Sequence, residues 1–107
     1  MTKPLHPLPQ ARLDHAAEIL HALANPLRLA IVQQISQLSH ATVVDLQATL
    51  GHEPSMLSNH LRLLRQAGLV RTERAGKFIR YRLAETRIEE IAAAVTAFGA
   101  CVAEVSG

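Results

Sequence analysis

Side chains that donate and accept hydrogen bonds crowd into one stretch of this 107-residue chain, beside a run of cations. Ser55, Ser58, Asn59, Arg62 and Arg65 recur at helical spacing, and Leu57, Leu61 and Leu64 recur between them on another face. Such a helix has one oily side and one side able to contact base edges and phosphates. From Arg62 to Arg82 there are seven Arg or Lys and one acid, Glu73, a net +6. The rest of this +2 chain is then net −4, so a modest total conceals a concentrated basic patch. A patch of that kind attracts a polyanion, and nucleic acid is the default partner; a solvated face without a partner is the bland alternative.

Other chemistries fare less well. No Gly-rich phosphate loop, nucleophile elbow or carboxylate pair stands out, and Cys101 has no placed His or Asn partner, so no enzyme is expected. A single cysteine excludes an internal disulfide framework and a multi-thiolate metal site within one chain. Cys101 reads as a small buried hydrophobe, or else as a single-thiol redox sensor or a disulfide to the partner's Cys101. The six histidines (6, 15, 21, 40, 52 and 60) contain no i, i+4 pair. An intersubunit metal site using first-helix histidines with Glu89 or Glu90 is the alternative to the expectation of no metal and no cofactor. Phe78, Tyr81 and Phe98 are the only aromatics, too few for a platform that stacks single-stranded bases. The apolar stretch Ile91 to Ala103 is too short to span a bilayer, and the proline-broken start lacks a secretory signal. A soluble cytoplasmic domain, with no membrane partner, is expected.

The elements that would position these groups follow from the pattern. Residues 1–9, with prolines at 4, 7 and 9, read as a flexible arm, and 10–107 as one domain. Leu13, Ala17, Leu20 and Ala24 give a first helix, and Asn25-Pro26 stops it and starts a second. Thr42-Val43-Val44-Asp45 is a capping box for a short third helix ending at Gly51. A fourth helix runs from Pro54 to about Ala67. Leu69 to Arg74 and Phe78 to Leu83 read as strands around an Ala75-Gly76-Lys77 turn. The last helix runs from Thr86 to about Val105, with apolar residues at Ile88, Ile91, Val95, Phe98, Val102 and Val105, a heptad seam.

The order predicts a mostly α fold with a β-hairpin wing: a winged helix-turn-helix, α-α-α-α-β-β-α. The fourth helix would enter the major groove with Ser55, Ser58, Asn59, His60, Arg62 and Arg65 as candidate DNA contacts. Arg74, Lys77 and Arg80 on the wing would sit at the backbone or in the minor groove. Leu13, Leu20, Ile88, Ile91, Val95, Phe98 and Val102 would make a homodimer through the first and last helices, packed on each other and on their symmetry mates. A winged helix that binds proteins is the rival, disfavoured by the charge of the outward face.

These residues resemble the ArsR/SmtB family of bacterial winged-helix repressors. The resemblance is carried by Leu23-Ala24-Asn25-Pro26-Leu27-Arg28-Leu29, by the stretch from Ser55 and Ser58 through His60-Leu61 and Leu64 to Ala67-Gly68-Leu69-Val70, and by Gly76-Lys77 with Tyr81-Arg82-Leu83. It covers about residues 12–105. It implies a homodimer on an imperfect palindrome that blocks transcription until an unknown inducer weakens its grip. It implies DNA reading by Ser55, Ser58, Asn59 and Arg62. Many members have Ser-Gln where this chain has Glu53-Pro54, so the side-chain amide there is missing. His60 matches a family position and has two readings, a base contact or a packed, hydrogen-bonded residue beside the leucine stripe. The family's sensing sites would fall on Thr42 and Val44, on Glu85, Arg87, Phe98 and Cys101, and on Gln33 as one of two paired thiols. Thr42, Val44, Arg87 and Phe98 cannot bind a soft metal, so the usual inducer chemistry is absent at those positions.

Overall fold

A computed structural model describes residues 9–106, with side chains as far as Cys101. Nearly all of the expected arm (residues 1–9), and the side chains of Val102 and Val105, lie outside the described residues. Five helices and one hairpin follow in the predicted order: α1 (Gln10–Leu23), α2 (Pro26–Leu38), α3 (Val43–Leu50), α4 (Pro54–Gln66), β1 (Val70–Ala75), β2 (Phe78–Leu83) and α5 (Arg87–Ser106).

Local chemistry explains the boundaries. Asn25 Oδ1 accepts the N–H groups of Leu27 at 2.9 Å and Arg28 at 3.1 Å, so the donors left over at the start of α2 are used. Thr42 and Asp45 form the reciprocal capping box: the Thr42 N–H donates to Asp45 Oδ2 at 2.9 Å, and the Asp45 N–H donates to Thr42 Oγ1 at 3.2 Å. Gly51 closes α3 in the left-handed region at φ 73°, where a Cβ is disfavoured. The hairpin turn has two residues, Gly76-Lys77, rather than three. Positive φ at Gly76 (63°) and not at Lys77 is the pattern of a type II′ turn.

The core forms around α2. Ile31, Val32 and Ile35 meet Leu46 of α3 and Leu57, Leu61 and Leu64 of α4, all without solvent exposure. Leu69 and Val70 at the foot of the wing, and Ile88 and Ala92 of α5, complete the cluster. The wing is also tied from its far edge. Ala41 and Tyr81 exchange backbone hydrogen bonds of 2.9 and 2.8 Å, so β2 is held by β1 on one side and by the α2–α3 connection on the other.

One expected packing differs. α5 packs on α2, not broadly on α1. A cleft of about 530 Å³ separates α1 from the start of α5, walled by His15, Ile19 and Leu23 on one side and Ile88 and Ile91 on the other. The reason is that Ile88 and Ala92 of α5 join the core built around α2, whereas α1 meets that core through its C-terminal half, with Ala22 and Leu23 buried and Ile19 packed beside them.

Candidate nucleic-acid interface

The alternation of α4 is realised in full. Leu57, Leu61 and Leu64 are buried, while Ser55, Ser58, Asn59, Arg62, Arg65 and Gln66 are exposed on the opposite side. Pro54 occupies the first turn, and Glu53 before it makes no side-chain cap. The backbone donors at the helix start therefore face outward, where an anion is favoured. Arg62 Nη2 donates to Asn59 Oδ1 at 2.6 Å. Two expected base contacts thus hold each other in position in the free chain.

The wing's register decides which cations share a face. Arg71 lies opposite Arg82, Glu73 opposite Arg80 and Arg74 opposite Ile79. Directly opposed residues point to the same side of a ladder. Arg80 therefore shares a face with Arg71 and Arg82, Arg74 sits on the other face, and Lys77 occupies the tip. Glu73 lies among the first group, 3.1 Å from Arg82 Nη2 and 4.0 Å from Arg80 Nη1. Both pairs are exposed and individually weak. Lys77 also rests over the Phe78 ring, 5.5 Å from its centroid.

His60, one of the candidate DNA contacts, lies off the exposed face of α4. It is half-buried on the inner shoulder of α4, and its Nδ1 lies 3.1 Å from Arg28 Nη1 of α2. A guanidinium has no acceptor, so Nδ1 must be the acceptor and the ring proton sits on Nε2. Burial first, then the Arg28 charge and then His52, push the His60 pKa below the ordinary imidazole value. Of the two sequence readings, the geometry matches the packed, hydrogen-bonded one.

Arg28 is the residue that sequence reasoning passed over. It is 9% exposed and also donates from Nε to the Ala22 carbonyl at 2.6 Å and from Nη2 to the His21 carbonyl at 3.5 Å. A signal was present. Position 28 continues the row of Ile31, Val32 and Ile35 at helical spacing, so a cation there had to be buried and satisfied.

The expected dimer residues divide. Leu13, Leu20, Ile91, Val95 and Phe98 are exposed on α1 and α5, with Phe98 70% exposed. Ile88 is only 7% exposed and belongs to the chain's own core, which corrects its placement on a free seam. Cys101 is exposed and unpaired, not a buried hydrophobe. Among the described residues, no group of three or more His, Cys, Asp or Glu is placed to hold a metal ion, and no helix is long and apolar enough to cross a membrane.

Core, recognition-type helix and anchored hairpin together define a winged helix-turn-helix. Residues 25–72 match the model of the bacterial regulatory protein, arsR family. The chain is 41% identical over 85 residues to the HTH-type transcriptional repressor SmtB of Mycobacterium tuberculosis, spanning 79% of this chain and 62% of that one. It is 38% identical over 89 residues to the HTH-type transcriptional regulator NmtR of the same organism, spanning 83% and 73%. The solution structure of the homodimeric winged helix-turn-helix DNA-binding domain Mb0332 from Mycobacterium bovis superposes with a TM-score of 0.77 at 28% identity, covering 92% of this chain and 90% of that one. The chain belongs to the ArsR family of bacterial regulatory proteins.

Proposed function

We propose that this chain is a sequence-specific double-stranded DNA-binding transcriptional regulator, a repressor that sits on a palindromic operator as a homodimer until an inducer releases it. The observation that carries this reading is the exposed face of α4. Six hydrogen-bonding or cationic side chains stand clear of a fully buried leucine stripe, with the wing cations beside them. One such helix reads few bases, and a two-fold copy supplies the second half-site about one helical turn (about 10 bp) away. The exposed apolar residues of α1 and α5 suit that copy, and the homodimeric state of the Mycobacterium bovis relative agrees with it. A cytoplasmic site of action and a regulatory role go with this reading.

The test is a gel shift with the DNA upstream of the protein's own gene. A retarded band at low salt is expected, with log affinity falling linearly against log salt by about 0.9 for each phosphate neutralised. No retardation, or affinity indifferent to salt, overturns the reading.

A further inference from the structure

We propose that the Arg28–His60 hydrogen bond is a proton-sensitive strut that sets the roll of α4 on the α1–α2 body, so that protonating His60 loosens the grip on DNA. The proposal rests on the DNA-binding reading of α4.

Arg28 rises from the first turn of α2 and is nearly enclosed. Its Nε and Nη2 reach carbonyls in the last turn of α1, the helix end that lacks partners and favours a cation. Its Nη1 reaches His60 in the middle of α4. One guanidinium thereby joins three helices. Leu57, Leu61 and Leu64 seat α4 in the core, where burial supplies most of the attraction but little directionality. The hydrogen bond is directional, so it adds an angular constraint on the inner shoulder of α4 to the one that packing imposes. His60 adjoins Asn59 and lies two residues from Ser58 and Arg62, so roll about α4 moves the candidate base contacts directly.

The link holds only while His60 Nδ1 is unprotonated. A proton there removes the acceptor and sets two cations side by side. No carboxylate of the described residues lies within ion-pair distance of Arg28 to compensate. His52, from the turn before α4, adds further positive charge. Asp14, Glu18 and His21 of α1 line the groove that Arg28 borders, and the charged groups acting on His60 are Arg28 of α2 and His52 of the α3–α4 turn. His60 titrates below the ordinary imidazole value of about 6.5, so the strut is intact above that pH and is lost as pH falls through the lowered value. The sign is diagnostic. Protonating exposed histidines adds positive charge and tightens binding to a polyanion, whereas losing the strut weakens it.

The experiment measures affinity for the same upstream DNA by fluorescence anisotropy from pH 8 to pH 5.5 at fixed ionic strength, with wild type and His60→Asn. Asn presents an acceptor near the Nδ1 position and does not titrate. Wild type is expected to weaken about tenfold towards acid pH, the worth of one hydrogen bond to a charged group. His60→Asn, referred to its own affinity at pH 8, is expected to stay level or tighten on acidification. Parallel pH curves for the two proteins overturn the proposal. Absence of DNA binding at pH 8 overturns the DNA reading instead. In that case the strut is judged without DNA, by NMR. The backbone amides of residues 58–62 must shift as His60 titrates and be still in His60→Asn, and amides that ignore the titration overturn it.

Discussion

Thr42 and Asp45 settle between them where α3 begins, and both halves of the box are intact. The Thr42 N–H bonded to the Asp45 carboxylate is the main cause holding that carboxyl below its ordinary value, against a smaller opposing effect of burial. Its stabilisation is therefore present above the unfolded value of about 3.9 and is lost as pH falls through the lowered one. Asp45→Ala should cost about 1 kcal/mol at pH 7 in urea melts, in line with a lost cap, and the gap to wild type should narrow as pH falls below the ordinary carboxylate value. An unchanged gap at acid pH would rule out the carboxylate as the source. This box was legible because its four residues are consecutive and local. The Arg28 bonds were not, because the His60 partner lies 32 residues away and only the packing of α2 on α4 brings it near.

α4 and the hairpin divide the work of binding in the proposed function. Arg62 stands on the reading face, and Glu73 lies among the wing cations. Exchanging Arg62 for Ala should cost about 1–3 kcal/mol on the upstream DNA and little on unrelated duplex, because a base contact discriminates and a phosphate contact does not. Glu73→Gln should act the other way on both DNAs. Freed from the acid, Arg80 and Arg82 should tighten binding, and the salt slope should steepen by up to about 1. Binding titrations of the two variants at three salt concentrations check both. The strand pairing was readable from alternation, and so was the turn glycine. Which cations share a face was not, because the turn proved one residue shorter than the sequence suggested and a one-residue shift reverses every side chain.

The Cα radius of gyration is 16.3 Å, against about 13 Å for a compact chain of this length. The excess is consistent with the proposed dimer, in which a second copy would pack against the outer helices. Phe98 at 70% and Leu20 at 58% exposure are large apolar groups left in water, and among the described residues nothing covers them. Replacing Phe98 by Glu should convert a dimer to a monomer in sedimentation velocity, and the melting temperature should then lose its dependence on protein concentration. DNA affinity should fall with it, since each half-site then binds alone. A variant that remains dimeric would remove Phe98 from the interface.

Element order, helix caps and the polar face of α4 were already written in the residues, because each depends on neighbours within a turn or two of helix or strand. The contacts that cross between elements were decided by folding. α5 chose α2 over α1, Ile88 joined the core instead of the outer seam, and Arg28 drew His60 away from the groove-facing side. In each case a buried group had to find partners from distant segments, and close packing admits only the arrangement in which all of them are filled or paired.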